Sequence, residues 1–89
     1  MAVLLVTYDL NKPGQDYNDF YKIIKSYPYA KLSESSYAIN TTDSPQTVVD
    51  RLRRYMDAND HLYVINLKRP YAGYGPKNVN DWLEQHLPL

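Results

Sequence analysis

The sequence predicts a small α+β fold on three observations. An apolar, β-prone run, Met1 to Leu10, opens the chain; two stretches with helical spacing, about Tyr17 to Ser26 and Pro45 to Ala58, flank a region of period-two alternation; and a last alternating run, His61 to Leu67, closes the pattern. Strand, helix, two strands, helix, strand is the order of a ferredoxin-like βαββαβ sandwich, an antiparallel sheet with two helices on one face. Residues 1–67 form this core. Residues 68–89 are a C-terminal extension, a loop and a short helix, that packs on the same or a partner subunit within a single domain.

The first run has few polar residues, which predicts a strand buried on both faces near the centre of the sheet. It ends on Asp9 and opens into the turn Asn11-Lys12-Pro13-Gly14. A strand end is a fixed place to present a side chain, although an Asp there is also an ordinary turn-former. Asp16 is placed to cap the first helix, with Asp19 three residues on, and Phe20, Ile23, Ile24 and Tyr27 form its apolar stripe. Pro28 ends that helix, because a proline disfavours helical geometry at the residue before it. Lys22 and Lys25 lie off the stripe and read as solvated charge.

Between Tyr29 and Thr42 the apolar parity changes: Ala30 and Leu32 are even, Tyr37 and Ile39 odd. One straight strand cannot put both sets on one face. A hairpin or bulge at Ser33-Glu34-Ser35 therefore divides strands near Ala30–Ser33 and Ser36–Thr41, with Leu32 and Tyr37 both serving the packed side. Ser44 followed by Pro45 is an N-cap and a first-turn proline, and Val48, Val49, Leu52, Tyr55 and Met56 make the stripe of the second helix. Its Arg51, Arg53 and Arg54 resemble a phosphate-binding face, but Asp50 with Arg54 and Arg53 with Asp57 have the spacing of intrahelical ion pairs. In the last core strand Leu62, Val64 and Asn66 face opposite to Tyr63, Ile65 and Leu67. The glycine, proline, tyrosine and cation mixture from Lys68 to Lys77 predicts a loop or edge segment. Asn78 is placed to cap a final helix in which Val79, Trp82 and Leu83 share a face and Trp82 anchors the tail.

Eighty-nine residues bury a modest core, and a chain of this size gains from association. Ten acidic residues balance ten basic ones, so long-range attraction to a polyanion is not built into the net charge. Without cysteine there are no disulfides, thiolate nucleophiles or Cys-type zinc sites, which leans the chain towards the cytoplasm. His61 and His86 lack metal-ligand spacing, and His61 reads as a strand-end residue. The first apolar run is too short for a membrane span and is followed by a turn, so no membrane association is expected. Ten tyrosines against one phenylalanine favour an interaction surface, because tyrosine joins an apolar body to a hydrogen-bonding tip.

Val6-Thr7-Tyr8-Asp9-Leu10, followed after a helix by Ala30-Lys31-Leu32-Ser33 and Ser35-Ser36-Tyr37-Ala38-Ile39, resembles the small CRISPR-associated "Cas two" proteins and their relatives, which include VapD-like toxins and standalone SinR-like proteins. The likeness covers roughly Met1 to Leu67 in element order. It departs at Asn40, where the family has an acidic residue, and the tail from Lys68 is nearest the SinR-like branch. The resemblance implies a ferredoxin-like homodimer in which the aspartate ending the first strand sits near the two-fold axis. It implies a magnesium ion at Asp9 and hydrolysis of RNA or DNA phosphodiesters by a metal-dependent endonuclease. Lys12, Lys68 and Arg69 are the candidate phosphate contacts by loop position. The alternative is a non-catalytic dimeric module of the same fold that binds nucleic acid or protein.

Overall fold

The computed structural model describes every residue except Pro13, so the middle of the turn expected after Asp9 lies outside the described residues. The elements are β1 (Ala2–Asp9), α1 (Asn18–Lys25), β2 (Tyr29–Ser33), β3 (Ser36–Thr41), α2 (Pro45–Arg53), β4 (His61–Leu67) and α3 (Lys77–His86). The architecture is α+β: a four-stranded antiparallel sheet in the order β2-β3-β1-β4, with three helices. β1 is central and pairs with both β3 and β4; its pairing with β3 ends at Thr7, so Asp9 at its end is paired with β4 alone.

The register decides which residues share a face. Val6 opposes Tyr37 and Val64, and Leu4 opposes Ile39, so these side chains lie on one face together with Tyr8 and Leu62. Phe20 and Ile24 from α1, and Val48 and Leu52 from α2, bury against that face and complete the main core. Full burial of each such side chain is worth about 1.5–3 kcal/mol, so this cluster is the chief source of stability. Phe20 meets the ring of Tyr8 edge-on, with centroids 5.0 Å apart. The Tyr8 hydroxyl donates to the Glu34 carbonyl at 3.1 Å, and burial pushes it far above the ordinary tyrosine pKa.

α3 covers part of the opposite face. Leu83 and Leu87 bury against Val3 and Ala38, with Val79, Trp82 and Leu67 packed around them. Trp82 stacks on His86 at 4.0 Å, and the tail docks on its own chain. Arg69 fastens it: the guanidinium pairs with the Glu84 carboxylate at 2.9 Å and donates to the carbonyls of Leu87 and Glu84. The backbone N–H of Arg69 donates to Pro88 O at 2.8 Å. A Tyr71 hydroxyl bond, followed by the Arg69 contacts, holds the Glu84 carboxyl below its usual range.

Local expectations meet mixed outcomes. Ser44 caps α2 by accepting the Thr47 N–H at 3.1 Å, with Pro45 in the first turn. α1 is entered differently: Tyr17 is its N-cap, and Asp16 instead accepts the N–H of Asn18. α3 begins at Lys77 after Pro76, so Asn78 lies inside the helix and does not cap it. α2 stops at Arg53, five residues before the expected Ala58, because Asp60 accepts the Asp57 N–H at 2.7 Å and turns the chain back towards β4. The expected pairs Asp50–Arg54 and Arg53–Asp57 are consequently absent among the described residues: Asp57 pairs with Lys12, and Asp50 accepts from Gln46. The parity change does mark a hairpin with an irregularity between Lys31 and Ser33. Tyr37 is buried there, but Leu32 sits at the irregularity and is exposed, so only one of the two serves the packed side. β1 is likewise not buried evenly on both faces: on the second face Val3 is buried, whereas Leu5 and Thr7 are half-buried.

Candidate functional site

Asp9 is the last residue of β1 and is exposed. It belongs to the face shared by Thr7 and Leu5, opposite the α1 and α2 core, at the end that α3 does not reach. Asn11 orients the carboxylate, its amide donating to Asp9 Oδ2 at 3.2 Å and to the Asn59 carbonyl at 3.0 Å. Oδ1 carries no hydrogen bond among the described residues. The neighbouring clamp is Asp60, whose carboxylate accepts from the N–H of Asn11 at 2.6 Å, the N–H of Asp57 at 2.7 Å and the Tyr17 hydroxyl. Burial alone would raise the Asp60 pKa, yet these donors outweigh it and the carboxyl is held below its usual range. The end of β1 and the start of β4 are thereby tied together.

The three basic residues do not converge on Asp9. Lys12 follows it closely but pairs with Asp57 at 3.4 Å. Lys68 and Arg69 follow Leu67, which opposes Val3, whereas Asp9 opposes His61. Six strand positions separate those ends, about 20 Å at the usual rise, so within one chain neither cation reaches a phosphate held at Asp9. Arg69 is moreover committed to fastening α3. Arg51, on α2, pairs with Asp43 at 3.7 Å and lies over the Tyr27 ring.

A divalent cation needs more donors than Asp9 alone. Among the described residues no group of three or more His, Cys, Asp or Glu side chains is arranged to hold a metal. Magnesium is commonly held by one or two carboxylates with waters completing its shell, so the donor chemistry fits if a second Asp9 is supplied. Oxygen donors of a second copy are the means available to a symmetric pair.

Next to Asp9 on the same face stand Tyr63, 67% exposed, and Ile65, 51% exposed, in register with Thr7 and Leu5. They were legible as a strand face but not as an uncovered one. The tyrosine excess has a different explanation from a wholly external surface. Tyr8 and Tyr37 are core residues, while the hydroxyls of Tyr17, Tyr27 and Tyr71 bond to Asp60, Asp43 and Glu84. No helix among the described residues is long and apolar enough to cross a membrane. No protein-family model, curated protein or solved structure matches the chain significantly.

Proposed function

We propose that the protein is a cytoplasmic, ferredoxin-like homodimer of the Cas two and VapD-like kind, and that it cleaves RNA or DNA phosphodiesters with a divalent cation held by Asp9 of both copies. The observation that carries this reading is the position of Asp9: exposed at the end of the central strand, oriented by Asn11, beside an uncovered apolar patch at Tyr63 and Ile65. The β2-β3-β1-β4 sheet supports the ferredoxin-like assignment, with α3 as an addition on the second face. An isologous contact through that patch makes one aspartate per chain into two. A cation there, magnesium in the simplest case, neutralises phosphate charge and acidifies water. Asp9 holds the ion, and Asn11 fixes one oxygen of its carboxylate.

The commitment of Lys12 and Arg69 to carboxylates of their own chain favours a second reading, a dimeric binding module without catalysis. A nuclease assay on single- and double-stranded RNA and DNA, with magnesium or chelator, separates the two. Metal-stimulated cleavage by the wild type should be lost in Asp9→Asn, provided the variant still melts cooperatively and stays dimeric. Equal cleavage by a folded Asp9→Asn, or none by the wild type, leaves the binding module.

A further inference from the structure

His61 opposes Asp9 in the antiparallel register of β1 and β4. Directly opposed residues share a sheet face with their Cβ atoms about 4.5–5.5 Å apart, so the Asp9 and His61 side chains leave neighbouring positions on the same face. Both are exposed. Neither ring nitrogen of His61 takes part in a hydrogen bond among the described residues, which leaves the ring and Asp9 Oδ1 open to a common ligand. The backbone below them is constrained: Asp60, immediately before His61, is bonded to Asn11, Asp57 and Tyr17, and Asn11 also holds Asp9. The chain's other imidazole, His86, is occupied differently, with Nδ1 against the Trp82 carbonyl at 2.7 Å and its ring stacked on Trp82.

We propose that His61 is a second ligand of the Asp9 site. Each copy contributes one carboxylate oxygen and one imidazole nitrogen, and two copies related by a two-fold close a four-ligand site around one divalent cation. The inference rests on reading Asp9 as the cation-holding residue of a dimer, and the site is incomplete without the partner. It changes the expected metal. Carboxylates and waters suit magnesium, whereas a mixed set with imidazole favours a later transition metal such as cobalt, nickel or zinc. The site is thus expected to take a transition metal in preference to magnesium. Asn11 acts as a positioning residue, because it fixes Asp9 Oδ2 and leaves Oδ1 for the ligand.

The test is cobalt(II) binding by the full chain, followed by visible absorption and by paramagnetically shifted imidazole N–H resonances, with sedimentation to establish the dimer. Wild type and a His86→Gln control should bind one cobalt per dimer, show the shifted resonance, and prefer cobalt to magnesium. Loss of an outer-shell partner already weakens metal binding by roughly tenfold or more, so His61→Gln should cost at least that for cobalt and should abolish the resonance. Magnesium binding should change little in His61→Gln and fall in Asp9→Asn. Cobalt binding unchanged in His61→Gln but lost in Asp9→Asn removes His61 from the site and leaves the Asp9 reading standing. A wild-type dimer that binds neither cobalt nor magnesium, or a wild type that stays monomeric, overturns both.

Discussion

The two faces of the sheet are built to different standards. On one, α1 and α2 bury Leu4, Val6, Tyr8, Tyr37 and Ile39 beneath Phe20, Ile24, Val48 and Leu52. On the other, α3 covers Val3 and Ala38 but stops short of Tyr63, Ile65 and Asp9. On the proposed function, stability and activity are separable in this chain: changes on the first face should act on folding, and changes at the open end of the second on assembly and ligand. Phe20→Ala is the sharpest test of the first half. Emptying a fully buried aromatic site costs about 3–5 kcal/mol, a large share of a small domain's stability. A denaturant titration showing a loss under about 1 kcal/mol would place the folding core elsewhere.

Leu83→Ala probes the covered part of the second face. Leu83 is nearly buried against Val3 and Ala38, and truncation there should cost about 2 kcal/mol, at the low end for a buried leucine, because the cavity opens towards solvent. The loss should be local. Hydrogen exchange should accelerate across α3 while β1 and β3 stay protected, since Arg69 and Glu84 still fasten the tail. Uniform acceleration over the whole sheet would mean that α3 is integral to the core, and the two faces would then be energetically one.

How much of this was legible in the sequence follows the same division. The main core was readable because Phe20 and Ile24, Val48 and Leu52, and the alternation in β4 carry their own periodicity. The short α2 was not, because its end is set by Asp60 reaching back to Asp57 and across to Asn11 and Tyr17, contacts that span the chain. Local spacing offered Asp57 to Arg53; the fold gave it to Lys12. Asp9 could be singled out as a candidate from its place at a strand end. His61 could not, since fifty-odd residues separate it from Asp9 and only the β1–β4 register makes them neighbours. A histidine opening a strand is a signal worth keeping whenever an acidic residue closes one that can pair antiparallel to it. Arg69, singled out by loop position, is engaged by the fold with Glu84 and the carbonyl of Leu87, partners that its place in the loop did not indicate.

The smallest expected effect on folding falls where the comparison is most exposed, at Ile65→Arg. Ile65 opposes Leu5 on the open face and is 51% exposed, so a long cationic side chain has room to reach solvent in a single chain. Surface changes of this kind generally alter stability by no more than about 0.5 kcal/mol. In a two-fold dimer through this face the substitution appears in both copies, and it brings charge into a surface that self-association would dry. Sedimentation should then show a wild-type dimer converted to a folded monomer with nearly unchanged melting. On the proposed reading, in which a partner completes the cation site at Asp9, the monomeric variant should also lose metal binding, although Asp9 and its neighbours are untouched. An Ile65→Arg protein that remains as dimeric as the wild type would show that the copies meet elsewhere, and the apolar patch beside Asp9 would then have to be assigned to some other contact.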